Sequence, residues 1–296
     1  CDLSGPFEEK LFYAAVDGKV YISSRHWMGI LDPMQNTVSP WGIPLPEQPV
    51  LAAISGTGAL MVGRYQVCYT NVVEGRVGGN GMIAEIDILT DNSSISLLNK
   101  TAGCIAWVTD PDGSIFYRTI SAQDLITSIE TMEPLPTFLC GPPSPMQFIR
   151  RAFGRLWGAV GNRLIYSEPY RYDLFKSTNE FAFPTDILLI AFVDGGIFVG
   201  FDDRTVFLPG TEPGGMREID VGAGVARNIL AYCNNVPDMG NNVPVWVSKE
   251  GLMAGGHNGA LVKITMGRIQ FPAGQEGAAV YRTVNGQEQF LTSFKQ

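Results

Sequence analysis

The chain has 296 residues, 45% of them hydrophobic and 17% charged, with 34 Gly and 19 Pro. That is enough apolar material to bury a large core in one or two domains, and it excludes global disorder. A formal net charge of −8 gives the surface no general attraction for nucleic-acid phosphates or anionic lipid.

Gly and Pro are spread along the chain without a Gly-X-Y period, and with so few charges this predicts short strands joined by turns, an all-β fold. The longest apolar stretches, such as Ile187 to Val193 and Val50 to Ile54, are too short to cross a bilayer as helices. The five cysteines (Cys1, Cys68, Cys104, Cys140, Cys233) are widely spaced and form no CxxC pair. Reduced thiols are expected, with neither a zinc site nor a disulfide framework. Cys1 has two readings: the lipid-modified first residue of a bacterial lipoprotein, or the start of a chain fragment. The second is preferred, because no polar tether separates Cys1 from the first strand-like run.

In chain order, the first clear element is LFYAAVDGKVYIS, Leu11 to Ser23, an apolar strand, a turn and a second apolar strand. Residues 50 to 103 break this rhythm with GRYQVCYTNVVEGRVGGNG and the alternating run AEIDILTDNSSISLL, and read as a blade or a small inserted β domain. The hairpin unit returns as IAWVTDPDGSIFYR (Ile105 to Arg118). Ser121 to Met132 then gives the one helical hint, with Leu125, Ile126, Ile129 and Met132 on one face of a connector.

Four more hairpins follow: RLWGAVGNRLIYS (Arg155 to Ser167), GIFVGFDDRTVFL (Gly196 to Leu208), GLMAGGHNGALVKI (Gly251 to Ile264) and AAVYRTVNGQEQFL (Ala278 to Leu291). Asp17-Gly18, Asp112-Gly113, Asn258-Gly259 and Asn285-Gly286 tolerate positive φ and so suit tight turns. From Asp112 to Asn258 successive turns lie roughly 40 to 55 residues apart, the scale of a four-stranded propeller blade. The expected fold is therefore a β-propeller of hairpin blades over residues 1–49 and 104–296, the last blade being closed by N-terminal strands. A β-sandwich is the competing architecture. Trp27, Trp41, Trp107, Trp157 and Trp246 sit in or near the hairpins, where one aromatic per repeat fills the gap between blades.

Little in the chain looks catalytic. With only His26 and His257, the commonest general base is nearly absent, and no GxSxG elbow accompanies either. Asp110, Asp112, Asp202, Asp203 and Glu168 could in principle supply a glycosidase pair, but most fall at turns, where a carboxylate accepts backbone hydrogen bonds. GAGVAR (Gly222 to Arg227) lacks the third glycine and the strand-helix setting of a dinucleotide site. Asp87, Asp91 and Asn92 lack the spacing of a calcium loop. Arg150 and Arg151 form a basic spot flanked by apolar residues. No metal or organic cofactor is signalled, and no catalytic residue is assigned.

The stretch ETMEPLPTFLCGPPSPMQFIRRAFGRLWGAVGNRLIYSEPYRYDLF, Glu130 to Phe175, resembles β-propeller proteins among the tail and virion structural components of bacteriophages. Those proteins carry a Pro-rich lead-in, GRLW, a GN turn and YSEP followed by aromatics. Gly154, Arg155, Leu156 and Trp157 match the first part, and Gly161, Asn162, Tyr166, Ser167, Glu168 and Pro169 the rest. GRYQVCYTNVVEGRVGG and GQEGAAVYR have similar counterparts. The resemblance implies a virion protein of the tail, of nozzle, hub or adaptor type, assembled in the host cytoplasm. Its partners would be other tail or connector proteins and further copies of itself, around a path along which DNA passes without specific binding. The segment SEPYRYDLF places Tyr170, Arg171, Tyr172 and Phe175 together as the expected protein interface. A secreted or surface propeller that binds or hydrolyses glycan is the runner-up.

Overall fold

The structure, a computed structural model, describes residues 10–119, 124–129, 133–265, 271 and 275–295. Its strands run in chain order as β1 (Phe12–Val16), β2 (Lys19–Ser23), β3 (Met28–Asp32) and β4 (Thr37–Ser39). Then come β5 (Ala52–Leu60), β6 (Gly63–Val73), β7 (Arg76–Asn80), β8 (Ala84–Ile88), β9 (Ser93–Leu97), β10 (Cys104–Thr109), β11 (Phe116–Arg118) and β12 (Leu125–Ile126). A short β13 (Cys140–Gly141) precedes β14 (Gln147–Ala152), β15 (Arg155–Val160), β16 (Arg163–Tyr166), β17 (Phe175–Lys176) and β18 (Glu180–Ala182). The last ten are β19 (Leu189–Val193), β20 (Gly196–Gly200), β21 (Arg204–Pro209), β22 (Ile219–Ala223), β23 (Val225–Cys233), β24 (Val243–Ser248), β25 (Gly251–Gly255), β26 (Leu261–Lys263), β27 (Gly277–Val284) and β28 (Gln287–Phe294). The fold is all-β: among the described residues the only helix is a single 3-10 turn at Pro213–Gly215.

The chain divides into two compact units. One takes residues 28–144 and 167–179, and the other residues 2–27, 145–166 and 180–296 as far as these are described.

The second unit is propeller-like. Three four-stranded antiparallel meanders follow one another, β14-β15-β16-β18, β19-β20-β21-β22 and β23-β24-β25-β26, with the hairpins β1–β2 and β27–β28 beside them. The first strands adjoin in the order β1, β14, β19, β23, β27. Apolar cores lie between consecutive sheets. Trp157, Leu164, Ile197, Val199 and Phe201 share one, Phe198, Phe207, Val225 and Trp246 a second, and Val245 and Ala254 meet Tyr281 and Phe290 in a third. Sheets stacked face to face around their first strands are blades of the propeller type, in which side chains of both faces of each sheet are buried. That explains why β19, β20 and β24 are buried at every position and, Ser248 apart, carry no polar side chain instead of alternating.

All six hairpins expected from the sequence are present. Asp17 (φ 50°) with Gly18 (φ 77°) and Asn285 (φ 52°) with Gly286 (φ 76°) make two-residue turns with both residues left-handed, matching the twist of the strands they join. The other two signals behave differently. Asp112-Gly113 and Asn258-Gly259 sit in wider loops, since the flanking pairs are Thr109↔Phe116 and Gly255↔Leu261. The C-terminal hairpin is not completed by N-terminal strands among the described residues: β27 pairs with β28, and β1 with β2.

The first unit is built around a β-sandwich. β12-β9-β5 forms one sheet, and β11-β10-β6-β7, with β8 on β6, the other. Leu60, Ile95, Leu97 and Ile126 of the first, with Val50 just before β5, pack against Tyr65, Val67, Tyr69, Ala106 and Val108 of the second. The sandwich runs past residue 103, where the sequence suggested a return to blades, because β10 pairs with β6 through Ile105↔Thr70 and Trp107↔Cys68. The expected helix is also replaced. Leu125 and Ile126 pair with Ser96 and Ile95 as an edge strand, while residues 121–123 and 130–132 of that stretch lie outside the described residues.

Three free thiols, Cys68, Cys140 and Cys233, are buried. Burial pushes Cys68 up to about 12, and Cys140 and Cys233 up to about 11, from an ordinary 9.0. A native chain at pH 8.5 should therefore label slowly at all three with iodoacetamide, and rapidly only when unfolded. Since the folded values are the raised ones, the stability these thiols contribute is complete below pH 9 and is lost as the pH climbs towards 12. Fast labelling of Cys68 in folded protein, read by mass spectrometry, would contradict this packing.

Candidate functional site

In the first unit, the segment after Tyr166 folds into consecutive tight turns. Arg171 N–H donates to Glu168 O (3.2 Å), Leu174 N–H to Arg171 O (3.1 Å) and Glu168 N–H to Leu174 O (2.8 Å). Asn179 Nδ2 clamps Glu168 Oε1 at 2.7 Å. These turns split the four residues expected at one interface. Tyr170 points outward, 74% exposed, while Tyr172 and Phe175 are buried.

The reason lies far away in sequence. Trp41 Nε1 donates to Tyr172 O at 2.7 Å, and the Trp41 ring meets Phe175 edge-on at 6.4 Å. Arg171 is half-buried and pairs with Asp173 (3.4 Å), which also holds Arg76 (3.3 Å). Tyr172 and Phe175 therefore belong to the packing of this unit, and Tyr170 is the one that reaches out.

Tyr170 also has a left-handed backbone, φ 55°. For a bulky L-residue that region costs roughly 1–2 kcal/mol, and an exposed ring recovers little of it from its own unit.

The other sequence candidates have structural occupations. Asp112 Oδ1 accepts from Arg64 N–H (3.1 Å), Asp202 pairs with Lys249 (3.5 Å), and exposed His257 faces Asp194 (3.4 Å). Asp87 is held by Arg64 (2.8 Å), which keeps its carboxyl below the usual range through that hydrogen bond. Asp91 accepts from Val62 N–H, 2.9 Å away. GAGVAR joins β22 to β23, with no helix to present a phosphate site. Among the described residues no three His, Cys, Asp or Glu side chains converge as metal ligands.

The second unit contains a cavity of about 550 Å³ along the first strands of its blades. Phe12, Ile149, Leu189, Leu230 and Ala279 supply apolar wall. Its charged lining among the described residues is Lys10, Arg150 and Arg151. β14 and β23 both carry register shifts beside it, with left-handed residues at Phe148 (φ 57°) and Asn228 (φ 57°). Arg150 stacks over the Tyr232 ring, 4.4 Å from its centroid, and the Tyr232 hydroxyl accepts from Phe192 N–H (2.8 Å) and donates to Phe192 O (3.1 Å).

Blades, sandwich and cavity together define an all-β, propeller-like protein. No protein-family model and no curated protein matches the chain. Among solved structures it is similar to a chain of the crystal structure of BBS1N in complex with ARL6DN, at 9% identity and a TM-score of 0.36, over 96% of this chain and 88% of that one. A likeness at that level bears on neither function nor partners.

Proposed function

We propose that this chain is a non-enzymatic structural component of a bacteriophage tail, assembling with other virion proteins near the DNA exit path. Two things support the reading. The first is the resemblance of Glu130 to Phe175 to tail propeller proteins, whose matched residues here are packing and turn residues, such as Trp157 (buried) and Gly161 (φ 60°). The second, which carries it, is Tyr170: a large aromatic, 74% exposed and in a conformation that disfavours it, is what a protein contact would retain.

Purified virions analysed by mass spectrometry should contain the chain at stoichiometric copy number, and its absence overturns the reading. Within it, Tyr170→Gly should leave the thermal midpoint unchanged or slightly raised, because glycine relieves the left-handed strain. Incorporation into particles should fall. Arg171→Ala, by contrast, should lower the midpoint, because it withdraws one cation from buried Asp173. Normal incorporation of Tyr170→Gly would remove this residue from the contact.

A further inference from the structure

The chain carries a net charge of −8, yet the cavity among the first strands of the second unit is cationic. Lys10, Arg150 and Arg151 line it, and no carboxylate does so among the described residues. Two depressions that share Lys10 or Gln147 with it or with each other extend the same character, adding Arg25, Arg227 and Lys295 against Glu276 and Asp186.

Arg150 and Arg151 are adjacent on β14, and neither has a carboxylate within ion-pair distance among the described residues. Arg150 stacks on Tyr232 instead. Two other arginines of this unit do have carboxylate partners, Arg163 with Glu180 (3.0 Å) and Arg204 with Asp220 (3.6 Å). A cation without a carboxylate partner gains from a bound anion at a half-apolar wall.

The backbone at the site is also unusual. Phe148, a buried aromatic two residues before Arg150, holds φ 57°, and Asn228 across the cavity holds the same value. The register shifts there turn the strands and re-aim the side chains that follow, a device found beside binding sites. A volume of about 550 Å³ suits a small molecule, and half-apolar walls suit its body.

We infer that this cavity binds a small ligand with a carboxylate or phosphate head on an apolar body, the head held by Arg150, Arg151 and Lys10. The inference is independent of the tail assignment, which concerns the other unit's Tyr170.

Titration calorimetry on the full chain tests it, with phenyl phosphate, phenylpropionate and uncharged phenylpropanol as probes. One or both anions should bind, the tighter one distinguishing phosphate from carboxylate, and phenylpropanol should not. Arg151→Gln should weaken binding about tenfold. Arg217→Gln, which removes an exposed cation outside the cavity, should leave it unchanged. Should Arg151→Gln fail to keep the wild-type circular dichroism, Lys10→Gln carries the same expectation. The inference is overturned if neither anion binds at millimolar concentration, if phenylpropanol binds as well as they do, or if Arg217→Gln weakens binding as much as the cavity variant.

Discussion

Gly79→Ala is expected to strip hydrogen-exchange protection from two segments at once, Arg76–Asn80 and residues 137–144. A Cβ at position 79 would lie 1.6 Å from Cys140 O and 2.5 Å from its carbonyl carbon, both backbone atoms. No rotamer change relieves such a contact, so β7 and β13 must separate. That separation pulls on Thr137 Oγ1, which donates to Gly78 O (2.6 Å), and on Leu139 N–H, which donates to Asn80 Oδ1 (2.7 Å). Overpacking usually costs about 1–3 kcal/mol. With two hydrogen bonds at stake as well, we expect about 3 kcal/mol or more in the first unit. Exchange read by mass spectrometry should leave peptides of β19 to β21 as protected as in wild type. Unchanged protection at 137–144 would mean that the lead-in does not dock on β7.

That docking explains part of what was illegible in the sequence. Hairpin chemistry is local: Asp17-Gly18 and Asn285-Gly286 announce their turns because left-handed φ favours those residues. The sheet that a hairpin joins is not local. IAWVTDPDGSIFYR reads like the blade hairpins around it, yet its strand pairs with β6, some 35 residues earlier by the Ile105↔Thr70 register, and extends a sandwich. Leu125, Ile126 and Ile129 fit a helical face, but two of them were claimed by the edge of β9, a tertiary pairing that overrides weak helical periodicity.

The candidate sites divide in the same way. That SEPYRYDLF carries interface-type residues was readable; that Tyr172 and Phe175 turn inward depends on Trp41, 131 residues from Tyr172. The basic cavity was visible only as the pair Arg150-Arg151. Lys10 comes to it from the start of β1, and the strand bends that frame it occur at Phe148 and Asn228, where no glycine marks them. Net charge gave the opposite hint, because it averages over a surface that the cavity does not resemble.

The tryptophans allow a sharper test of the blade packing, because their indole N–H groups are not equivalent. Trp107 donates to Thr70 Oγ1 at 2.8 Å, with Thr70 itself fully buried. Trp157 donates to Ala152 O at 3.1 Å. Trp246 is equally buried, between Phe198 (5.3 Å) and the core around Val225, but its Nε1 has no acceptor among the described residues. Trp246→Ala empties the centre of that core and should cost about 3–5 kcal/mol. Trp246→Phe keeps most of the ring and removes an unsatisfied donor, so its cost should stay below about 1.5 kcal/mol. Trp107→Phe changes volume by the same amount but strands the Thr70 hydroxyl, adding about 1–3 kcal/mol. Urea unfolding of the three variants, followed by circular dichroism, should rank them Trp246→Ala, Trp107→Phe, Trp246→Phe from most to least destabilised. If Trp246→Phe costs more than Trp107→Phe, the Trp246 indole has a partner in solution, and the packing between β20 and β24 differs from that described.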